Sequence, residues 1–400
     1  MPYHALDFFA GAGGLSEGLR EAGVNVIYAN EIDQWAKETY KRNHPETVIN
    51  CGDIRKLTRE SISMELKGKP HTLEEIDIIV GGPPCQGFSI IGQRYIDDPR
   101  NRLFQEFLRI VKEVRPKSFI MENVFGLLSI DNGSIRDNII RLFTEAGYIV
   151  TPPKILTAAD YGVPQMRRRV FFIGIRGDLS AEPLHYPETT HVPKMEHGGS
   201  LLPSYVTVNE AISDLPSEVI ESKGTNVVET VEYGCSPKSE FQRSMRAGSK
   251  SVYNHHTKRF MELRQKRVDC LGEGDTKACL PEHLQAGGHD NKYRRLASSK
   301  PAPTLTAHMS KDLSDFIHPR HNRSITVREA ARLQSFPDTY VFVGSEFQQL
   351  KQIGNAVPPR LGAAVVKAVV DQLKTIEEQK AAITMELAIN QKDMKINDDA

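Results

Sequence analysis

The first 180 residues alternate short apolar runs with amphipathic stretches, and that rhythm admits few folds: it is the pattern of a parallel sheet covered by helices. Strands are predicted at "HALDFF", "NVIYANE", "TVINCGD", "IDIIVGG", "SFIMENV", "YIVTPPKIL" and "RVFFIGIR". Between them, "LFQEFLRIVKEVR" puts Leu103, Phe107, Leu108, Val111 and Val114 on one helical face. "GSIRDNIIRLFTEAGY" does the same with Ile135, Ile139, Leu142 and Phe143, then stops at Gly147. The expected class is α/β, a doubly wound, mostly parallel sheet, in which ligands sit at the C-terminal ends of the strands.

A chain of 400 residues exceeds one hydrophobic core, so two domains are expected, one interrupted by the other. After Gly177 the sequence turns rich in Pro, Ser, His and Gly until "SITVREAARLQSF", which begins like a capped helix with Thr326 as N-cap and Glu329 three residues later. "LKQIGNAVPPRLGAAVVKAVVDQL" reads as a loop followed by a helix with Pro359 in its first turn, and the polar tail from Lys374 as a helical extension. The N-terminus lacks a basic segment followed by an apolar one, and no apolar run approaches the roughly 18 residues of a membrane span. A soluble, cytoplasmic protein is therefore expected. The five cysteines are scattered without zinc-ligand spacing, which predicts free thiols and no metal.

Net charge is zero, yet the charges are not evenly spread. Residues 181–240 carry 3 Lys+Arg against 10 Asp+Glu, whereas 241–330 carry 17 against 9. A basic block in a neutral chain reads either as a polyanion-binding surface or as a solvated face.

The chemistry gathers at the predicted strand ends. In "DFFAGAGGLSEGLREAG", Gly11, Gly13 and Gly14 let backbone pass close to a ligand before a helix that starts near Leu15. Glu31 closes the second strand and Asp53 the third. In doubly wound folds an acid about 20 residues past the glycines takes ribose hydroxyls, and a neighbouring acid can accept from an adenine amino group. The turn has neither G-x-G-x-x-G nor Gly-Lys-Ser/Thr, which argues against a dinucleotide or triphosphate. An adenosine carrying something other than phosphate remains, and S-adenosylmethionine fits.

"GGPPCQGFS" then presents Cys85 at the fourth strand end behind two prolines. Methylating C5 of a pyrimidine is hard because that carbon is barely nucleophilic; a thiolate adding at C6 makes C5 an enamine carbon that attacks a methyl sulfonium. Surroundings of this kind can lower a thiol pKa from about 8.5. Glu122, closing the fifth strand in "MENV", is placed to protonate N3 of cytosine, and Asn123 to hold the turn. In "QMRRRVFFIG", Arg167 and Arg169 alternate on entering a strand; one can meet the base O2, the other a phosphate or Glu122.

The ordered set "DFFAGAGGLSEGL", "GGPPCQGFS", "MENV", "QMRRRVFFIG", "ITVREAARLQSFP" and "QIGNAVPPRLG" closely resembles the motifs of the DNA (cytosine-5-)-methyltransferase family, over about Leu6 to Val370. The resemblance implies an S-adenosylmethionine-dependent methyltransferase fold with a smaller inserted target-recognition domain. Residues 1–177 would bind the donor and carry catalysis, 178–323 would recognise the target, 324–373 would return to complete the catalytic domain, and 374–400 would be the tail. It implies Cys85 as nucleophile with Glu122 and Arg169 completing the site, and Arg167 and Ser89 near the base and backbone. For S-adenosylmethionine it implies Phe8, Gly11, Gly13, Leu15, Glu31, Ile32, Asp53, Ile54, Pro83, Leu103, Asn355 and Val357. Residues 85–101 would be a loop closing over a flipped base, with Gly87 and Gly92 as hinges. Arg243, Arg246, Lys258 and Arg259 of the basic block would meet double-stranded DNA. A monomer in a restriction-modification setting, beside an independently acting endonuclease, is the implied context. Two other readings stay open: a transfer-RNA methyltransferase of the same family, against which stand the long insert and the absence of a Cys-Phe-Thr segment, and a non-catalytic DNA-binding relative, against which stand the intact Cys85 and Glu122.

Overall fold

The computed structural model describes residues 2–84, 102–194, 201–222, 230–288, 292–311 and 313–398. Its first part alternates as expected: β1 (His4–Phe8), α1 (Gly14–Glu21), β2 (Asn25–Asn30), α2 (Gln34–Asn43), β3 (Val48–Asn50), α3 (Arg59–Glu65), β4 (Ile76–Gly81), α4 (Arg102–Val114), β5 (Ser118–Val124), α5 (Ser134–Glu145), β6 (Tyr148–Val150), β7 (Lys154–Thr157) and β8 (Arg168–Arg176). These strands build one sheet in the order β3-β2-β1-β4-β5-β8-β6, with β7 also paired to β8. From β3 to β5 all neighbours are parallel; β8 runs antiparallel to β5, β6 and β7. The sheet is thus mixed but mostly parallel. The predicted strand "YIVTPPKIL" is split into β6 and β7, because Pro152 and Pro153 have no N–H to offer a ladder.

Both faces of the central strands are covered, so side chains alternate between two cores rather than between core and water. Leu6, Phe8 and Ile79 face one cluster with Phe107 and Val111 of α4 and Phe143 of α5. Ala5, Ile78 and Val80 face the other, with Leu15 and Leu19 of α1 and residues of the C-terminal helix.

The second part contains α6 (Val208–Ile212), α7 (Glu240–Met245), α8 (Glu262–Asp269), α9 (Val327–Leu333), α10 (Glu346–Asn355) and α11 (Pro359–Asp398). The Thr326 cap forms as the sequence predicts: the Glu329 amide donates to Thr326 Oγ1 at 3.1 Å, and the Thr326 amide to Glu329 Oε2 at 2.7 Å. "LKQIGN", read as loop, is instead the end of α10, started by Ser345 as N-cap. Helix α11 returns to the sheet and lies on α1 so closely that a Cβ on Gly18 would come within 2.7 Å of the Ala363 nitrogen and 2.8 Å of the Pro359 oxygen. A third core joins Val208, Phe241 and Leu305 to Ala330, Leu333 and Ile353, and so runs across the expected limit at 323/324. A smaller cluster, Val268, Leu271, Leu280, Tyr293 and Ile317, belongs to the 178–323 stretch alone.

Candidate active site

A cleft of about 670 Å³ opens at the C-terminal ends of the parallel strands. Ten of the twelve residues expected around S-adenosylmethionine line it: Gly11, Leu15, Glu31, Ile32, Asp53, Ile54, Pro83, Leu103, Asn355 and Val357. The α10–α11 junction closes one wall against the start of α1, where a Cβ on Gly14 would sit 2.3 Å from the Val357 oxygen. Two of the expected residues are not among those lining the cleft. Phe8 is fully buried in the core under α4, because alternation along β1 sends it to the same face as Leu6; Phe9 lines the cleft in its place. Gly13 (φ 89°) turns its missing side chain towards Tyr340 and His44, not the cleft, and a Cβ there would lie 2.9 Å from His44 Nε2.

The acids at the strand ends are held in place by the backbone and by neighbouring cations. Glu31 accepts from the Gly11 amide at 2.8 Å and the Asp33 amide at 2.7 Å. Burial raises its pKa, with those amides opposing. Asp53 accepts from Arg55 Nε at 2.9 Å and from its own helix turn, and the Arg55 hydrogen bond lowers its pKa. Lys351 also reaches the rim but is bound to Asp33 Oδ2 at 2.7 Å. The cleft thus offers carboxylate acceptors and apolar walls (Ile32, Ile54, Leu103), while the lining cations Lys351, Arg55 and Arg169 are committed to acids. That donor and acceptor set fits an adenosine without phosphates.

At the other end of the cleft stands Glu122, 9% exposed on β5. The antiparallel register sets Glu122 opposite Phe171 and Val124 opposite Arg169, so Glu122 and Arg169 are diagonal neighbours on one face. Arg169 Nε lies 2.7 Å from Glu122 Oε1. Burial raises the Glu122 pKa against the opposing pull of Arg169 and Arg167. Gly82 leaves this carboxylate open, since a Cβ there would meet Glu122 Oε2 at 3.1 Å. Asn123 donates to the Pro83 oxygen at 2.8 Å and accepts from the Val124 amide, holding the turn as expected. Pro84 lines the cleft and precedes Cys85 directly; Cys85, Ser89, Gly87 and Gly92 lie outside the described residues.

Arg167 packs inside the protein. It precedes β8, where alternation is not enforced, and it is fully buried with its guanidinium donating to the Leu305 oxygen at 2.6 Å and the Gly354 oxygen at 2.9 Å. It ties three chain segments together and, although not itself among the lining residues, its charge acts on Glu122. Of the expected DNA contacts, Arg243, Lys258 and Arg259 are exposed, Arg259 beside Glu221 at 3.2 Å. Arg246 is not: it stacks over Tyr233 at 3.6 Å and donates to the Cys235 oxygen at 2.7 Å, with Asp214 3.3 Å away.

Sequence reasoning passed over Asp7, which lines the cleft, is buried, and accepts from Ser16 Oγ at 2.6 Å. The available signal was an acid inside an apolar strand. Burial lifts its pKa from 3.8 to about 7. Between those values the native state holds a proton that the unfolded state has lost, so this group's stabilising preference falls away as pH rises from about 4 through 7. Asp7→Asn is expected to remove that part of the slope, by at most about 4 kcal/mol. Urea unfolding of both proteins at pH 5 and pH 8 measures it; parallel pH dependences would contradict the assignment.

A sequence model of the family described as C-5 cytosine-specific DNA methylase matches residues 3–371. The chain is 38% identical to the type II methyltransferase M.AgeI of Thalassovita gelatinovora, covering 91% of this chain and 98% of the relative. It is 40% identical to the type II methyltransferase M.DdeI of Desulfomicrobium norvegicum, covering 91% and 88%. Among solved structures, a protein described as a DNA modification methyltransferase encoded within an E. coli prophage superposes with a TM-score of 0.75 at 30% identity, covering 93% of this chain and 99% of that one. A Spodoptera frugiperda DNMT2 structure, at 18% identity and a TM-score of 0.55, shares the fold.

Proposed function

The chain belongs to the C-5 cytosine-specific DNA methylase family and is a DNA (cytosine-5-)-methyltransferase of the type II restriction-modification kind; on that premise we propose that it takes its methyl group from S-adenosylmethionine and works through a covalent bond from Cys85 to C6 of a flipped cytosine. The observation that carries the reading is the buried Glu122–Arg169 pair at the inner end of the cleft, next to the Pro83–Pro84 segment that leads into Cys85.

Flipping is needed because C6 is shielded inside a duplex. The Cys85 thiolate forms a bond to C6 while Glu122 delivers a proton to N3, so the electron pair released into the ring does not remain as an anion. Arg169 keeps the Glu122 carboxyl aimed. Glu31, Asp53, Asn355 and the apolar walls would hold S-adenosylmethionine, whose sulfonium would give up its methyl to C5 and leave as S-adenosylhomocysteine. Loss of the C5 proton to a water then expels the Cys85 thiolate and restores the ring, and the N3 proton returns to Glu122. Arg243, Lys258 and Arg259 face solvent and are available to phosphates of double-stranded DNA. The chain acts as a monomer in the cytoplasm, independently of a cognate endonuclease. Among the described residues no helix is long and apolar enough to cross a membrane.

A duplex containing 5-fluorocytosine tests this, since fluorine at C5 blocks the final elimination. Incubation with the donor is expected to leave a denaturation-stable protein–DNA adduct, mapped to Cys85 by mass spectrometry of its peptides. An adduct on another residue removes the assigned nucleophile. Equal trapping on transfer RNA favours the RNA-directed reading, and no adduct on either substrate overturns covalent catalysis.

A further inference from the structure

The N-terminal ends of β1 and β4 lie across the sheet from the cleft, and there His4, His71 and Glu75 come together. One donor atom from each lies within 4.8 Å of the other two. The His4 and His71 rings have centroids 4.1 Å apart, and His71 Nδ1 is 3.3 Å from Glu75 Oε2. Both flanks are fixed: the Thr72 amide donates to Glu75 Oε2 at 2.9 Å, and the His4 amide to Asp77 Oδ2 at 2.8 Å. His4 is 9% exposed, and its buried Nδ1 has no hydrogen-bond partner among the described residues. An unpaired buried nitrogen is costly, and a ring nitrogen's lone pair is what a metal takes. The nearby ammonium of Lys117 is committed to Asp77 at 2.8 Å and to Glu377.

We propose that His4, His71 and Glu75 form a binding site for one divalent transition-metal ion of the zinc class, with its fourth position open to water. Two imidazole nitrogens and one carboxylate are a borderline-soft set that disfavours calcium and magnesium. Bonds of 2.0–2.2 Å in a tetrahedral arrangement need donor separations near 3.4 Å. The His71–Glu75 edge already has that separation, and the His4 donor, within 4.8 Å of both, would close in on the bound ion. His4 and Glu75 also line a second cleft, which gives an ion a path from solvent. The bound ion would tie the first residue of β1 to the turn that enters β4. The absence of cysteine spacing, which argued against a metal, does not bear on ligands 67 positions apart in sequence.

Equilibrium dialysis of the full chain, stripped with chelator and loaded with Zn²⁺ or Co²⁺, tests the site against His71→Ala and Glu75→Gln. Both changed residues are partly exposed, so folding is retained, and exposed cysteines bind alike in all three proteins. The unaltered protein is expected to hold one ion per chain more than either variant. That extra Co²⁺ should show weak visible bands without sulfur-to-metal charge transfer, and Zn²⁺ should raise the melting temperature of the unaltered protein alone. Equal stoichiometry in all three proteins, or a charge-transfer band on the His71-dependent ion, would overturn the proposal.

Discussion

Glu122→Gln is expected to slow methyl transfer by about 10²–10⁴-fold while leaving affinity for the methyl donor unchanged. Glutamine preserves the volume and keeps an oxygen for Arg169 Nε, which sits 2.7 Å away, but has no proton to deliver. Burial raises the Glu122 pKa, so the acid form persists to higher pH than for an ordinary carboxyl. Adduct formation should accordingly weaken as pH rises through that elevated value, and the glutamine variant should lose this pH dependence along with its rate. Single-turnover transfer of a labelled methyl group, beside calorimetric titration of the donor, separates the two effects. Equal losses in rate and in donor affinity would mean that Glu122 shapes the pocket instead of acting on the base.

Arg332→Met should destabilise the fold by about 3–5 kcal/mol. Arg332 is wholly buried between two wholly buried carboxylates, Asp214 at 2.7 Å and Asp338 at 2.7 Å, and also donates to the Ala211 oxygen at 2.8 Å. Burial opposes the charge on both Arg332 and Asp338, yet their mutual attraction prevails, holding the arginine pKa up and the aspartate pKa down. Methionine fills the space but takes from two buried aspartates their shortest cation contacts, leaving Asp214 with Arg246 at 3.3 Å and Asp338 with Arg328 at 3.9 Å and the Tyr233 hydroxyl. Asp338 also accepts from Tyr233, on which Arg246 stacks, so the network joins α9 to the 178–323 stretch. Denaturant midpoints report the effect directly; an unchanged midpoint would show that the pairing of Arg332 with these aspartates adds no net stability.

Local features were legible in the sequence because each is written in a few adjacent residues. "IDIIVGG" and "SFIMENV" are apolar runs ending in polar or flexible residues, and β4 and β5 end there. Thr326 and Glu329 carry their own capping geometry. The Glu122–Arg169 contact was one of two options until the antiparallel register of β5 and β8 decided it. Arg167 and Arg246 show the limit: an arginine's sequence neighbours do not reveal whether backbone carbonyls and an aromatic ring from distant segments will enclose it. For the same reason α10 was unreadable. Its Gly354 packs against the 306–307 backbone, where a Cβ would approach the Ala307 nitrogen to 2.4 Å, a long-range contact that rewards a residue poor in helix propensity.

The seating of α11 on α1 through Gly18 also has a temporal meaning. Translation delivers the glycine-rich turn first and its opposing wall, Asn355 to Val357, more than three hundred residues later. A nascent polypeptide therefore carries an unfinished cleft until Asn355 to Val357 have been made and α11 can fold back onto α1.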